Sequence, residues 1–134
     1  MKIFNKFHLE DIYKLKNTVH TGKTEDIKWR IKHINLVSKL LDENKKEIIK
    51  SLFVDLGKSE IESLSEILLV KEEISLIKKK LNSWMRPKKI NTPFYLFPSS
   101  SKVIYEPLGC VLILGPYNYP LLYVLKPLVN IFSA

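Results

Sequence analysis

The sequence predicts an α/β fold, mostly helical over its 134 residues. Two observations carry this. Apolar residues recur at helical spacing through the first two-thirds of the chain, the signature of helices that bury one face. Cys110-Val111-Leu112-Ile113-Leu114 is instead apolar without alternation and runs through Gly115-Pro116 into a second helical pattern. That arrangement suits a strand covered on both faces, a tight turn and a helix, the opening unit of a doubly wound parallel sheet.

The elements follow in order. A short helix is expected over Phe7 to His20, with Ile12, Leu15 and Val19 at helical spacing and Gly22 as its stop. A second is expected after Thr24 as N-cap, with Glu25 and Asp26 placed favourably against the helix dipole. Its apolar face runs through Ile27, Ile31, Ile34, Leu41, Ile48 and Leu52 without a break until Gly57. Ser59 and Glu62 form a capping-box pair that opens a third helix, expected to bury Leu64, Leu68, Ile74, Ile77, Leu81 and Trp84 and to close at Pro87. Two long antiparallel helices are the simplest packing of these faces.

From Lys88 the composition changes. Pro93, Pro98 and Ser99 to Ser101 interrupt two short β-prone runs, Phe94 to Phe97 and Lys102 to Tyr105, which suits an edge hairpin or an extended arm. Leu121 to Phe132 resumes helical spacing, and Pro127 within it is expected to end or kink the helix unless it falls in the first turn. One parallel strand alone leaves its edges uncovered, so the sheet it opens is incomplete within these residues. The division expected is residues 1–106, helices plus arm, and residues 107–134, the first strand–turn–helix of a second domain.

Composition narrows the function classes. Apolar content of 46% and charged content of 27% exclude a disordered tail. No run approaches the roughly 18 to 20 apolar residues of a membrane span, and Met1 to Glu10 lacks a signal-peptide core. A cytoplasmic protein is the expectation. The formal net charge is +8, but the lysines are interleaved with Glu, as in Lys45-Lys46-Glu47, and only Lys78 to Lys80 and Arg86 to Lys89 cluster. A solvated helix surface accounts for this pattern, and no nucleic-acid partner is expected. The single cysteine, Cys110, precludes an internal disulfide and reads as a small buried hydrophobe on its strand. His8, His20 and His33 have no Cys or carboxylate partners at ligand spacing, so no metal site is expected.

The segment from Glu106 to Pro120, Glu-Pro-Leu-Gly-Cys-Val-Leu-Ile-Leu-Gly-Pro-Tyr-Asn-Tyr-Pro, resembles the motif that opens the cofactor domain of aldehyde dehydrogenases. The likeness extends upstream to Asp55-Leu56-Gly57-Lys58-Ser59, to the Glu-rich third helix, and to the Trp-x-x-Pro-x-x-x-x-Thr-Pro pattern from Trp84 to Pro93. These features are similar to the class-3 or fatty-aldehyde-like branch, and the resemblance covers Val19 to Ala134. It implies a Rossmann-like cofactor domain and oxidation of aldehydes to carboxylic acids with NAD or NADP. In the family a cysteine thiolate adds to the aldehyde, hydride passes to the nicotinamide, and a glutamate-activated water hydrolyses the thioester.

By the same resemblance, Asn118 matches the asparagine whose side-chain amide helps to form the oxyanion hole. A fixed N–H donor aimed at developing negative charge stabilises a transition state. Leu114, Gly115, Pro116 and Tyr117 match the turn lining the nicotinamide end of the cofactor site, with Tyr117 in place of the more usual Trp. Asn118 on its own also reads as an ordinary turn residue, and Tyr117 and Tyr119 as core or interface aromatics. Cys110 is rejected as the nucleophile, because it lies on the strand with no His or Lys beside it. Asn130 and Ile131 stand where the family tends to carry Gly and Ala.

The resemblance places the adenosine-binding lysine, the Gly-rich phosphate turn, the general-base glutamate and the nucleophilic cysteine beyond Ala134. The 134 residues alone are therefore expected to be inactive and not to bind NAD or NADP by themselves. In the full-length context the partners implied are an aldehyde substrate and a second subunit in a homo-oligomer. The alternative is a non-catalytic fragment that docks on a full-length relative.

Overall fold

The computed structural model describes residues 9–134. The expected helical start at Phe7 and His8 lies outside them, as do His8 itself and most of the Met1 to Glu10 segment. The elements are helices α1 (Leu9–His20), α2 (Ile27–Glu43), α3 (Lys45–Leu56) and α4 (Glu60–Trp84), strands β1 (Lys88–Ile90) and β2 (Ser101–Val103), and helix α5 (Pro120–Ser133).

Helix α2 begins two residues later than expected. Thr21 to Glu25 form a turn closed by Glu25 N–H donating to Gly22 O at 3.0 Å, with Gly22 at φ 71°. Asp26, not Thr24, is the N-cap: its carboxylate accepts from Lys28 N–H at 3.0 Å and its charge complements the helix dipole. The single helix expected up to Gly57 is two, broken at Asn44 (φ −106°, ψ 13°). There the Asn44 side-chain amide donates to Leu40 O at 2.9 Å, a local bond that competes with regular helix. The apolar stripe crosses the break, with Ile34, Leu41 and Leu52 buried.

Gly57 closes α3 in the left-handed region at φ 67°, its N–H donating to Phe53 O at 2.8 Å while Lys58 N–H reaches Leu52 O at 3.3 Å. Two residues later the capping box opens α4. Ser59 Oγ accepts from Glu62 N–H at 3.3 Å, and Glu62 Oε2 accepts from Ser59 N–H at 2.9 Å. These bonds, chiefly the one from the Ser59 backbone, hold the Glu62 carboxyl below its ordinary value. Its folded pKa being depressed, the stabilisation is present above the ordinary carboxylate pKa and is lost as pH falls through the folded value. Glu62→Gln is expected to unfold at a lower temperature than the parent at neutral pH, and the gap to close below about pH 4.3.

The buried line of α4 is Ser63, Glu66, Ile67, Val70, Ile74, Ile77 and Leu81. Leu68 and Trp84, expected inside, are exposed at 59% and 44%, and Leu64 is only half-buried. The stripe is rotated because two polar residues with internal hydrogen-bond partners, Ser63 and Glu66, occupy it. Ser63 Oγ donates to Ser59 O at 3.0 Å.

Helix α5 packs on α2 and α4 and completes the core, with Val129 fully buried among Ile34, Val37, Leu41, Ile67, Val70, Ile74, Ile77 and Leu81. Arg30 ties its far end to α2: the guanidinium donates to Ser133 O at 2.7 Å and to Thr24 O at 2.9 Å. Trp29 stacks on His33 at 3.8 Å between ring centroids, and both meet Phe132. Pro127 lies inside α5 and does not end it. The carbonyl deprived of its partner is that of Tyr123, on the helix's exposed side, while Leu121, Leu122, Leu125, Leu128 and Phe132 pack on the core and hold the helix in place.

β1 and β2 form an antiparallel hairpin in register Lys88↔Val103, Lys89↔Lys102 and Ile90↔Ser101. Thr92 Oγ1 accepts from Ser101 N–H at 2.8 Å. Phe94–Leu96, expected as β-prone, is one turn of 3-10 helix. Cys110 to Leu114 is not the buried strand expected. It carries no regular structure, Cys110 is exposed, and Leu112 and Leu114 are 79% and 85% exposed. Among the described residues no strand lies beside it, so its backbone groups have no ladder to join. Taken together the described residues are mostly helical with one small antiparallel sheet.

Candidate functional site

The residues singled out from the sequence, Leu114 to Asn118, form the turn that leads into α5. Its approach to the helix depends on Gly115. A Cβ built there would stand well inside van der Waals contact with the Val124 side chain. Val124 is β-branched and stiff within a helix, so it yields little. Gly115→Ala is expected to lift the turn from α5 at a cost of about 1–3 kcal/mol. Comparing urea midpoints of parent and variant checks this, and Gly115→Ala combined with Val124→Ala should recover most of the loss.

On the other side of the turn, Tyr119 precedes α5 with φ −132° and ψ 62°, and Pro120 occupies its first position, where the missing N–H costs nothing. Tyr119 supplies no side-chain cap. The cap comes from α4 instead: Glu66, fully buried, accepts from Leu122 N–H at 3.0 Å through Oε2. Its other oxygen, Oε1, pairs with Lys58 Nζ. A carboxylate at this end of α5 satisfies an orphan donor and complements the dipole.

Lys58 reaches this point because Gly57 turns the chain sharply out of α3. Its side chain is 11% exposed, and its Nζ lies 3.8 Å from the centroid of the Tyr119 ring. That distance is within cation–π range. Lys58, Glu66 and Tyr119 thus form one cluster immediately beside Asn118.

Asn118, Leu114, Pro116 and Tyr117 are themselves exposed, Leu114 and Tyr117 by 85% and 84%. The turn presents these side chains outward, while Gly115 and Tyr119 face the helices. Cys110 lies nine residues before Tyr119 and is exposed as a free thiol. His33 has a structural role, its Nδ1 lying 2.8 Å from Trp29 O in addition to the stacking. Among the described residues no three His, Cys, Asp or Glu side chains stand together as metal ligands, and no helix is long and apolar enough to cross a membrane.

Sequence reasoning missed Lys58 and Glu66 as members of the site. Lys58 was visible only as part of the Asp55 to Ser59 motif. Glu66 gave no such signal, because its place on the inward line of α4, between Ser63 and Ile67, emerges only with the structure.

The helices, the small hairpin and the outward turn before α5 are the features that comparison with known proteins places in a family. Residues 16–133 match the family model described as the aldehyde dehydrogenase family, and the chain belongs to that family. It is 35% identical over 126 residues to a 4,4'-diaponeurosporen-aldehyde dehydrogenase from Staphylococcus aureus, covering 93% of this chain and 28% of that protein. It is 35% identical over 121 residues to aldehyde dehydrogenase family 3 member I1, chloroplastic, from Arabidopsis thaliana, covering 90% of this chain and 22% of that protein. These relatives lie where the upstream features pointed, in class 3. A solved structure of the substrate-bound state of Staphylococcus aureus AldH superposes with a TM-score of 0.89 at 34% identity, over 92% of this chain and 27% of that one. The chain therefore spans between about a fifth and a third of the length of these relatives.

Proposed function

We propose that this chain is the N-terminal portion of an NAD(P)-dependent aldehyde dehydrogenase that oxidises aldehydes to carboxylic acids in the cytoplasm. The observation that carries the reading is the family match over residues 16–133, which spans the turn bearing Asn118. In this reading the Asn118 side-chain amide donates to the oxygen of the aldehyde as negative charge develops on it. An exposed turn anchored at both ends keeps that donor in place without rearrangement during the reaction.

The residues present suit one end of the cofactor. Leu114, Pro116 and Tyr117 give an exposed apolar face on which a planar ring can rest. NAD or NADP, when bound, supplies the hydride acceptor. The chain's own part is to line that ring and to hold the amide of Asn118 beside it.

The test compares the complete protein that contains these residues and the 134-residue chain, each purified and given an aldehyde with NAD or NADP. Aldehyde-dependent reduction of the nucleotide is expected from the complete protein and not from the chain. Turnover by the chain alone, or none by the complete protein with any aldehyde tried, overturns the reading. A second reading, docking on a full-length relative, is favoured by the exposure of Leu108, Leu112 and Leu114. Co-expression with such a relative should then give joint elution on size exclusion, and separate elution removes it.

A further inference from the structure

We propose that Lys58 and Glu66 are positioning residues for Asn118, acting through Tyr119 and the first turn of α5. The proposal rests on the reading of Asn118 as the oxyanion donor.

Glu66 spends both carboxylate oxygens on this one task. Oε2 takes the Leu122 N–H at 3.0 Å and Oε1 takes Lys58 Nζ. Leu122 is the third residue of α5, so the contact fixes where the helix starts and in what direction its first turn points. Lys58 then carries the constraint backward along the chain. Its Nζ, pinned by Glu66, lies 3.8 Å from the centre of the Tyr119 ring, and Tyr119 is bonded directly to Asn118. On the other side of Asn118, Gly115 lies against Val124. The turn is therefore held at both ends, which fixes the backbone from which the Asn118 amide projects.

Stability alone is a poor account of this cluster. A fully buried carboxylate and a nearly buried ammonium lose most of their hydration, and apolar residues of the same volume commonly serve a core as well or better. What apolar residues lack is direction: they cannot accept from a chosen N–H or hold a ring at a fixed angle. Displacement by about 1 Å of a group that must meet a developing charge costs up to about 100-fold in rate. The cluster is what prevents such a displacement.

The test uses the complete enzyme and measures kcat and KM for an aldehyde alongside thermal unfolding. The variants are Lys58→Met, Lys58→Arg, Tyr119→Leu and Asn118→Ala, with Lys58→Met and Tyr119→Leu each also combined with Asn118→Ala. Lys58→Met is expected to lower kcat about tenfold or more with little change in KM, and Lys58→Arg, which keeps the charge and stacks on the ring, to restore most of it. On the Asn118→Ala background Lys58→Met should have little further effect on kcat, because the group it positions is gone. A purely structural role would multiply the two losses, and that result overturns the proposal. So does an unchanged kcat in folded Lys58→Met when Asn118→Ala alone is severely impaired. Full activity of Asn118→Ala is a different failure: it removes the oxyanion reading and the positioning role with it. Should Lys58→Met not fold, Tyr119→Leu carries the test. That substitution lies on a partly exposed ring and leaves the ion pair intact, yet it should lower kcat several-fold on the parent background only.

Discussion

Glu66→Ala is expected to destabilise the protein by about 3–5 kcal/mol, which shows as a large fall in its urea midpoint. The size follows from what the substitution leaves behind. Lys58 keeps its charge in a place where its side chain is 11% exposed, with no carboxylate to face. The Leu122 N–H loses its acceptor at the half-buried start of α5, and a small cavity opens on the inward line of α4. Glu66→Gln should cost distinctly less, since an amide oxygen can still accept from Leu122 while the charge is lost. Amide hydrogen exchange separates the contributions. The Leu122 N–H should be protected in the parent and in Glu66→Gln and should exchange much faster in Glu66→Ala. Equal protection in all three would mean that α5 is held by its apolar face alone.

Asn118→Ala is expected to lower kcat of the complete enzyme by about 100- to 1,000-fold, some 2.7–4 kcal/mol of transition-state stabilisation. KM for the aldehyde should change far less, because the amide meets charge that exists only as the reaction proceeds. Folding should be unaffected, since the side chain is exposed and packs on nothing in the core. Asn118→Asp should be at least as damaging, as it replaces a donor with a negative charge facing another. Steady-state kinetics with coincident unfolding curves check both variants. A loss confined to KM would assign Asn118 to binding of the aldehyde in its ground state.

The helices were legible because their signals are local. The capping box at Ser59 and Glu62, the left-handed Gly57 and the stripe from Ile27 to Leu52 each depend on residues a few positions apart. The place of Asn118, in an outward turn just before a helix, was readable for the same reason. What escaped depends on partners distant in the chain. Glu66 reads as a solvent-facing residue until α5, 56 positions later, brings Leu122 N–H to it. Its presence inside rotates the buried line of α4, which is why Leu68 and Trp84 were misplaced. The break at Asn44 escaped because apolar spacing continues through it while a side-chain amide diverts the backbone. Cys110 to Leu114 carries the composition of a buried strand, but a strand exists only where another runs beside it.

The Gly57-Lys58-Ser59 connection has a consequence for how sequences like this one can diverge. Three successive residues end one helix, send a cation toward the Asn118 turn and start the next helix. None of these tasks survives a shift of frame. One inserted residue would turn the start of α4 by roughly 100° about its axis, given about 3.6 residues per turn, and carry Glu66 out of reach of both Lys58 and Leu122. The connection therefore tolerates exchange of side chains better than any change of length. The loop around Phe94 to Phe97, whose aromatic side chains are exposed, has no comparable constraint on its length. Among homologues, gaps in alignment are expected to gather there and to be absent between α3 and α4.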